Sequence, residues 1–278
     1  MFLVIDGQPF VSHNAYHYTL VKYPNHFGLQ LARGGFRKYC RTSLVMQEED
    51  KRDDFQRVYE ALSKLYTIPN FSERDNSVLD TLIAVMLSQN TTDRNSTKAF
   101  EQLKNRYKDW NQVIEAPLRD LEDCIRVAGL AKTKATRIKS LLETLRKERG
   151  ELGLENLRES SVDEVEKELS RFKGVGLKTI ACVSAFSLGF QVFPVDTHVF
   201  RVCKRLGWIH PNYSRDEAFR SLNNTVPLKL RVPLHFLIIS HGRKICRSQS
   251  PRCEACALQN VCQYFKSSLR RSYQTETI

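Results

Sequence analysis

The chain has 278 residues, enough to bury one or two hydrophobic cores without disulfide bonds. Its 43 Lys and Arg against 31 Asp and Glu give a net charge of +12, which favours a polyanionic partner, nucleic acid before a ribosomal or membrane surface. No apolar run approaches the roughly 20 residues of a membrane span, so we expect a soluble, intracellular protein.

The first 47 residues differ in composition from the rest, and Asp6 is their one acidic residue. Low acidity with scattered Arg suits a mitochondrial presequence, whereas the apolar residues around Asp6-Gly7 suit a small β-hairpin. We therefore treat residues 1–50 as an N-terminal extension, either a targeting or poorly ordered segment or a strand-like appendage.

The body of the chain has helical spacing from Asp53 onward, and no persistent strand alternation follows residue 50. The stretch 78–87 is apolar on all sides and predicts a buried helix. It ends in the polar loop 88–93, which faces a cleft or is a simple interhelical turn. A later helix begins near Leu130 and carries several cations close to its start. Because such cations oppose the helix dipole, they indicate a phosphate, or else a solvated basic face.

A glycine hairpin, Gly174-Val175-Gly176, lies between two predicted helices in the centre of the chain. The first of these helices begins with the capping-box pattern of residues 161–164, which recurs at residues 214–217. Two glycines permit a tight turn with outward-facing amides, and amides at a helix start bind phosphate. The hairpin is therefore a predicted anchor for the DNA backbone.

Four of the eight cysteines are scattered, and the other four lie close together near the end of the chain. Clustered thiols in a reducing compartment indicate a shared metal centre. Structural zinc sites usually pair two short knuckles, whereas here only the central pair has that form, so the spacing favours an iron–sulfur cluster and leaves zinc as the alternative. The predicted ligands are Cys246, Cys253, Cys256 and Cys262.

Four motifs together resemble the endonuclease III family of helix-hairpin-helix DNA glycosylases: the hairpin at 172–179, the segment 195–201, the tripeptide 241–243 and the cysteine quartet. The resemblance covers roughly residues 55 to 266. It implies an all-α fold of two helical domains with DNA in the cleft between them, and a 4Fe-4S cluster. The six-helix domain is expected at 76–190, the cluster domain at 51–75 with 191–268, and a tail at 269–278.

The same resemblance gives catalytic roles to Lys178 and Asp196. A lysine near a helix start is available as an amine nucleophile that expels the base, forms a Schiff base at the sugar and permits β-elimination. The carboxylate acts as a base and stabilises the cationic sugar. The plainer interpretations are a phosphate-binding lysine for Lys178 and a helix N-cap for Asp196.

Several further residues are predicted to contact DNA. Asn90 falls where the family has a glutamine that fills the gap left by the flipped base, with Gln89 as a rival, and Leu130 falls where it has a wedging leucine. His198 is expected at the pocket rim. The predicted backbone contacts, besides the hairpin, are Lys134, Arg243, Arg247 and Arg252.

We expect a monomer that binds double-stranded DNA with a modified base or abasic site, removes oxidised pyrimidines such as thymine glycol, and nicks the strand. The alternatives are a 5-methylcytosine glycosylase, since plant enzymes of the Demeter type resemble this chain in the lysine and the loop, and a non-catalytic helix-hairpin-helix DNA-binding module. The expected compartment is the nucleus, with mitochondria second, in a eukaryote, and the cytoplasm otherwise.

Overall fold

The computed structural model describes residues 4–5, 8–9, 53–69 and 77–268. Strand β1 (Val4–Ile5) pairs antiparallel with β2 (Gln8–Pro9), as the hairpin interpretation of the N-terminal segment predicts. A targeting role for that segment stays a prediction. From residue 53 to residue 268 all regular elements that the structure describes are helices, which confirms the all-α fold. None of these helices has the length and apolarity needed to cross a membrane.

The first hydrophobic core is built around the helix Val78–Ser88, which buries residues on several sides and contacts three other helices of this core. This confirms the buried helix predicted from the apolar run. The helices of this core are α2 (Val78–Ser88), α3 (Asp93–Arg106), α4 (Trp110–Glu115), α5 (Leu118–Cys124), α6 (Ala131–Arg149), α7 (Val162–Ser170) and α8 (Leu177–Phe186), with 3-10 turns at Arg126–Ala128 and Glu155–Glu159.

The second core joins the start of the described body to its end. The ring of Phe55, on the helix at 53–63, packs edge-on against Trp208, with 4.5 Å between the ring centroids. The helices of this core are α1 (53–63), α9 (Thr197–Leu206), α10 (Arg215–Thr225), α11 (Leu228–Lys244) and α12 (263–268), with a 3-10 turn at Cys253–Ala255. The limits predicted for the two domains stay predictions; the structure gives the membership of each core.

The capping boxes are confirmed at both positions. Ser161 caps α7 and Ser214 caps α10, and in each box the Glu three residues later bonds back to the Ser backbone amide. The sequence alone suggests that Pro233 opens the apolar helix that follows it, but this is wrong: the helix, α11, begins at Leu228, and Pro233 lies inside it. Pro227 precedes the first turn, where a missing amide donor costs nothing, so it is the better helix start.

Candidate active site

A cleft of about 890 Å³ lies between the two cores. The first core contributes the loop between α2 and α3 and the start of α8, and the second contributes the start of α9 and one face of α11. The predicted site residues on its walls are Gln89, Asn90, Gly174, Gly176, Lys178, Asp196, His198 and Arg243. Both catalytic candidates and the hairpin glycines therefore share one cavity.

The hairpin turns at Gly174, whose φ of +87° is a conformation that residues with a Cβ rarely adopt. An added Cβ would also lie 2.7 Å from Cδ of Arg137, which packs against the turn. The Val175 side chain is buried in the first core, and its amide donates to Phe172 O at 3.0 Å. Val175 therefore packs the hairpin against the first core. Gly176 is the N-cap of α8 and makes no side-chain capping bond.

Lys178 is half-buried on the first turn of α8, next to the hairpin. Cys182 lies one turn along the same helix and interacts with the Lys178 side chain. Burial raises the pKa of the Cys182 thiol, and the hydrogen-bonded Lys178 ammonium acts in the opposite direction. The Cys182 side chain is buried, and it lines the cleft beside the candidate nucleophile.

Asp196 is the N-cap of α9, and its Oδ1 accepts a bond of 2.7 Å from the Val199 amide. The capping interpretation is confirmed, and the carboxylate still lines the cleft. Side chains fix the backbone just before it. Asn223 bonds both the amide and the carbonyl of Phe193, at 2.8 and 3.0 Å, and Arg231 donates to Gln191 O at 2.9 Å.

His235 completes this support and is a residue that the sequence reading missed. It is buried in the cleft wall between Phe186 and Phe236, and its Nδ1 lies 2.8 Å from Pro194 O. Because a carbonyl only accepts, Nδ1 carries the proton. Burial lowers the pKa of His235 to about 4, so the ring is neutral at pH 7. The signal was a single polar residue in the apolar run 234–239.

His198 lies at the cleft rim, where it was expected. Its Nδ1 accepts from Nη2 of Arg201 at 3.1 Å, and that Nη2 also donates to Gly242 O at 2.9 Å. Burial, followed by nearby Arg201 and Arg243, lowers the pKa of His198, although Asp196 opposes this. Because Nδ1 accepts a hydrogen bond from Arg201, the proton of the neutral imidazole lies on Nε2.

Arg243 binds a carboxylate across the cleft. Its guanidinium donates to both oxygens of Asp93, at 2.5 and 2.9 Å, and so joins the end of α11 to the start of α3. This hydrogen bonding is the main reason that the pKa of Asp93 is lowered; Lys178 adds a smaller effect in the same direction. Arg243 was predicted to bind phosphate, but here its donors are directed at Asp93, which the sequence reading did not single out.

The two candidates for the gap-filling role differ in what they contact. Nε2 of Gln89 donates to Gly174 O at 2.9 Å and to Oγ1 of Thr179 at 3.2 Å, which ties it to the hairpin. Asn90 is exposed, with a φ of +53°. Leu130 also has a left-handed backbone, at a φ of +50°, and 58% of it is exposed.

Lys134 contradicts the predicted phosphate contact. It is only 3% exposed, and its ammonium donates to Leu87 O at 2.7 Å and to Ala128 O at 2.9 Å. The reason was visible in the spacing: Lys134 lies four residues before Ile138, on the apolar face of α6. Its aliphatic stem follows that face, and its charged end reaches two helix-terminal carbonyls.

The four predicted metal ligands, all described, line one small pocket behind α9 and α11. Burial, with smaller effects from the neighbouring thiols, raises the pKa of Cys256 to about 11. N–H donors face two of the sulfurs: Arg205 donates to Cys246 Sγ at 3.3 Å and the Leu258 amide to Cys256 Sγ at 3.4 Å. Among the described residues no group of three or more His, Cys, Asp or Glu is placed to hold a metal ion.

The two remaining predicted phosphate contacts, Arg247 and Arg252, are exposed and lie in the loop between the first two cysteines. Arg205 holds this loop by donating to Arg247 O at 2.6 Å and Ser248 O at 3.0 Å. Both side chains are therefore presented on a fixed backbone outside the cleft.

Comparison with known proteins defines the class. Residues 83–228 match the model of the HhH-GPD superfamily of base excision DNA repair proteins, and the chain belongs to that superfamily. Within it, the chain is similar to endonuclease III of Sulfolobus acidocaldarius, with 32% identity over 71% of this chain and 86% of that protein. The family assignment made from the four sequence motifs is thereby confirmed.

Two further similarities agree. A putative DNA glycosylase of Arabidopsis thaliana is 48% identical over 62% of this chain, and the match spans 58% of that relative's length. The solved structure of a non-covalent endonuclease III–DNA complex superposes with a TM-score of 0.66 at 29% identity, over 80% of this chain and 98% of the other.

We expect Gly174→Ala to lower the free energy of unfolding by about 1–2 kcal/mol, because a Cβ disfavours the left-handed backbone. Gly176→Ala is the matched control, since Gly176 has a φ of −106° and an added Cβ meets nothing within 4 Å. Urea denaturation of both variants measures the difference. Equal stability of the two would contradict the role given to Gly174.

We expect stability to fall as the pH drops from about 6.5 to about 4, because His235 stays neutral in the fold while the unfolded chain takes up a proton. Its contribution is complete above pH 6.5 and lost toward pH 4, on the order of 3 kcal/mol. His235→Gln should flatten this slope, and the exposed His210→Gln should not. Unfolding free energies across this pH range test it; identical slopes for both variants would count against it.

Proposed function

We propose that this protein is a bifunctional DNA glycosylase with AP lyase activity, which removes oxidised pyrimidines from double-stranded DNA. The observation that carries the proposal is the position of Lys178 and Asp196 on the walls of one cleft, directly beside the glycine hairpin. An amine, a carboxylate and a phosphate anchor in one cavity are the groups that the reaction requires.

DNA binding begins with the backbone in this proposal. The amides at the start of α8 contact a phosphate, and the exposed Arg247 and Arg252 contact others. The target nucleotide must leave the stack, because its C1′ cannot be reached inside the duplex. Asn90 and Leu130 enter the space that it leaves. Asn90 is favoured over Gln89 for this step because the Gln89 amide is bound to the hairpin.

The chemistry then belongs to Lys178. Its amine forms a bond to C1′ while the bond from C1′ to the base nitrogen breaks, and the base leaves with that electron pair. Ring opening gives a Schiff base between Nζ and C1′, and loss of a C2′ proton expels the 3′ phosphate by β-elimination. Water then releases Lys178 from the sugar.

Asp196 supports both stages from the opposite core. Its carboxylate charge stabilises the cationic sugar that develops as the base departs, and it accepts a proton from the attacking amine. Asp196 can be cap and catalyst together, because its Oδ1 is bonded to the Val199 amide and its second oxygen is left for the reaction.

The test uses duplexes that each contain one modified base, including thymine glycol and 5-methylcytosine, scored separately for base release and strand nicking. We expect borohydride to trap a covalent adduct with the unaltered protein, no adduct with Lys178→Gln, and strongly reduced base release with Asp196→Asn. Lys173→Gln, an exposed lysine of the same hairpin, is the control that should still form the adduct.

The outcomes separate the alternatives. Release of 5-methylcytosine but no oxidised base would favour a demethylating glycosylase. The polar loop 88–93 resembles the corresponding loop of such plant enzymes. A chain that binds duplex DNA but forms no adduct with any damaged or abasic duplex would be a non-catalytic binding module, and the proposed function would fail.

We also propose that the four cysteines hold a 4Fe-4S cluster. Four sulfurs share one pocket and two of them receive N–H donors, which suits a cluster ligand set. A bound cluster would hold the loop 246–253 in place rather than take part in the chemistry.

We expect a brown protein that absorbs near ~400 nm, as thiolate-ligated iron does. Cys253→Ser should lose iron, whereas Cys124→Ser, in the first core, should keep it. Stoichiometric zinc without iron in the purified protein would contradict the cluster and support zinc as the bound metal.

A further inference from the structure

A buried cation lies beneath the two loops that the proposed function inserts into DNA. Lys134 is 3% exposed, and burial lowers the pKa of its ammonium. Burying an ammonium is costly unless its hydrogen bonds are satisfied. Its described partners are two carbonyls, Leu87 O and Ala128 O.

Each of these carbonyls precedes a strained residue. Leu87 lies three residues before Asn90, and Ala128 lies two residues before Leu130. Both Asn90 and Leu130 have positive φ values, a conformation that is uncommon for residues other than glycine. Ser250 is the one other such non-glycine residue in the described ranges.

Lys134 also holds the second loop through its backbone. Its amide donates to Leu130 O at 3.0 Å, which is the first hydrogen bond of α6. One residue therefore binds the turn around Leu130 twice and the end of α2 once. The loops are far apart in sequence, and this ammonium is a direct link between them.

We propose that Lys134 is a positioning residue that fixes the separation of Asn90 and Leu130, so that both side chains enter the duplex together when the target nucleotide is flipped. This inference rests on the proposed function. Lys134 touches neither DNA nor the reacting atoms in this role. It acts by holding two strained backbones at one spacing.

The test replaces Lys134 by Met, which keeps the length of the side chain and removes its donors. We expect Lys134→Met to release base from a lesion duplex on the order of 100-fold more slowly, because a small misplacement far from the chemistry has effects of this size. Nicking of a preformed abasic site in single-stranded DNA should stay within about threefold, since no insertion is needed there. Lys147→Met, an exposed lysine in the last turn of the same helix, should change neither rate.

The ratio of the two rates is the decisive readout, because a loss of folded protein lowers both rates equally. Lys134→Arg retains donors for both carbonyls and should keep the ratio of the unaltered protein. In a background of Asn90→Gly with Leu130→Ala, adding Lys134→Met should cost no more than about twofold, since both residues through which it acts are already gone.

The inference is overturned if Lys134→Met slows both reactions alike or neither, or if its full cost persists in the background that lacks both inserting side chains. These results differ from a failure of the proposed function, in which the unaltered protein neither releases a base nor nicks an abasic site.

Discussion

The position of the Asp196 carboxylate depends on the backbone that precedes it, and side chains of α10 and α11 hold that backbone. Asn223 bonds Phe193 through both peptide groups, and His235 binds Pro194 O from inside the core. An extended segment that crosses from one core to the other has no helix or sheet to satisfy its amides and carbonyls, so these side chains supply the partners. The carboxylate proposed to be catalytic is thus placed by a polar network within an otherwise apolar core.

Two contacts of different kinds shape the cleft. Gln89 joins the α2–α3 loop to the hairpin through neutral hydrogen bonds within the first core, whereas Arg243 and Asp93 form a charged, two-point contact between the cores. Because both ends of this ion pair are solvated, its net contribution to stability is small. Its effect is on orientation: it sets how the start of α3 faces the end of α11.

Much of the fold and of the reaction centre could be read from the sequence, because those features are local. Capping boxes, the glycine hairpin and the spacing of the cysteines each depend on residues a few positions apart. Features that depend on pairing across the chain were not accessible in this way. Arg243 and Asp93 are far apart in sequence, and nothing local distinguishes a guanidinium that meets a carboxylate from one that meets a phosphate.

For Lys134 the local information was present in the sequence, but the predicted phosphate contact was wrong. The spacing of apolar residues already placed Lys134 on the apolar face of α6, but its charge suggested that the side chain would be exposed and contact phosphate. A lysine can follow an apolar face with its stem and satisfy its ammonium at carbonyls that end neighbouring helices. Residue type was given more weight than residue position, and here position decides.

Helix α9 carries Asp196 at its first turn, while Arg201 and Arg205 on its later turns bind the loop that begins the cysteine quartet. Arg205 lies nine residues after Asp196, which corresponds to about 14 Å of rigid helix. The hairpin, in contrast, belongs to the first core. If the proposed function is correct, damage to the cysteine loop would be transmitted through α9 to Asp196 and would leave the contact of the hairpin with the DNA backbone intact, giving a protein that still binds DNA but no longer cuts it.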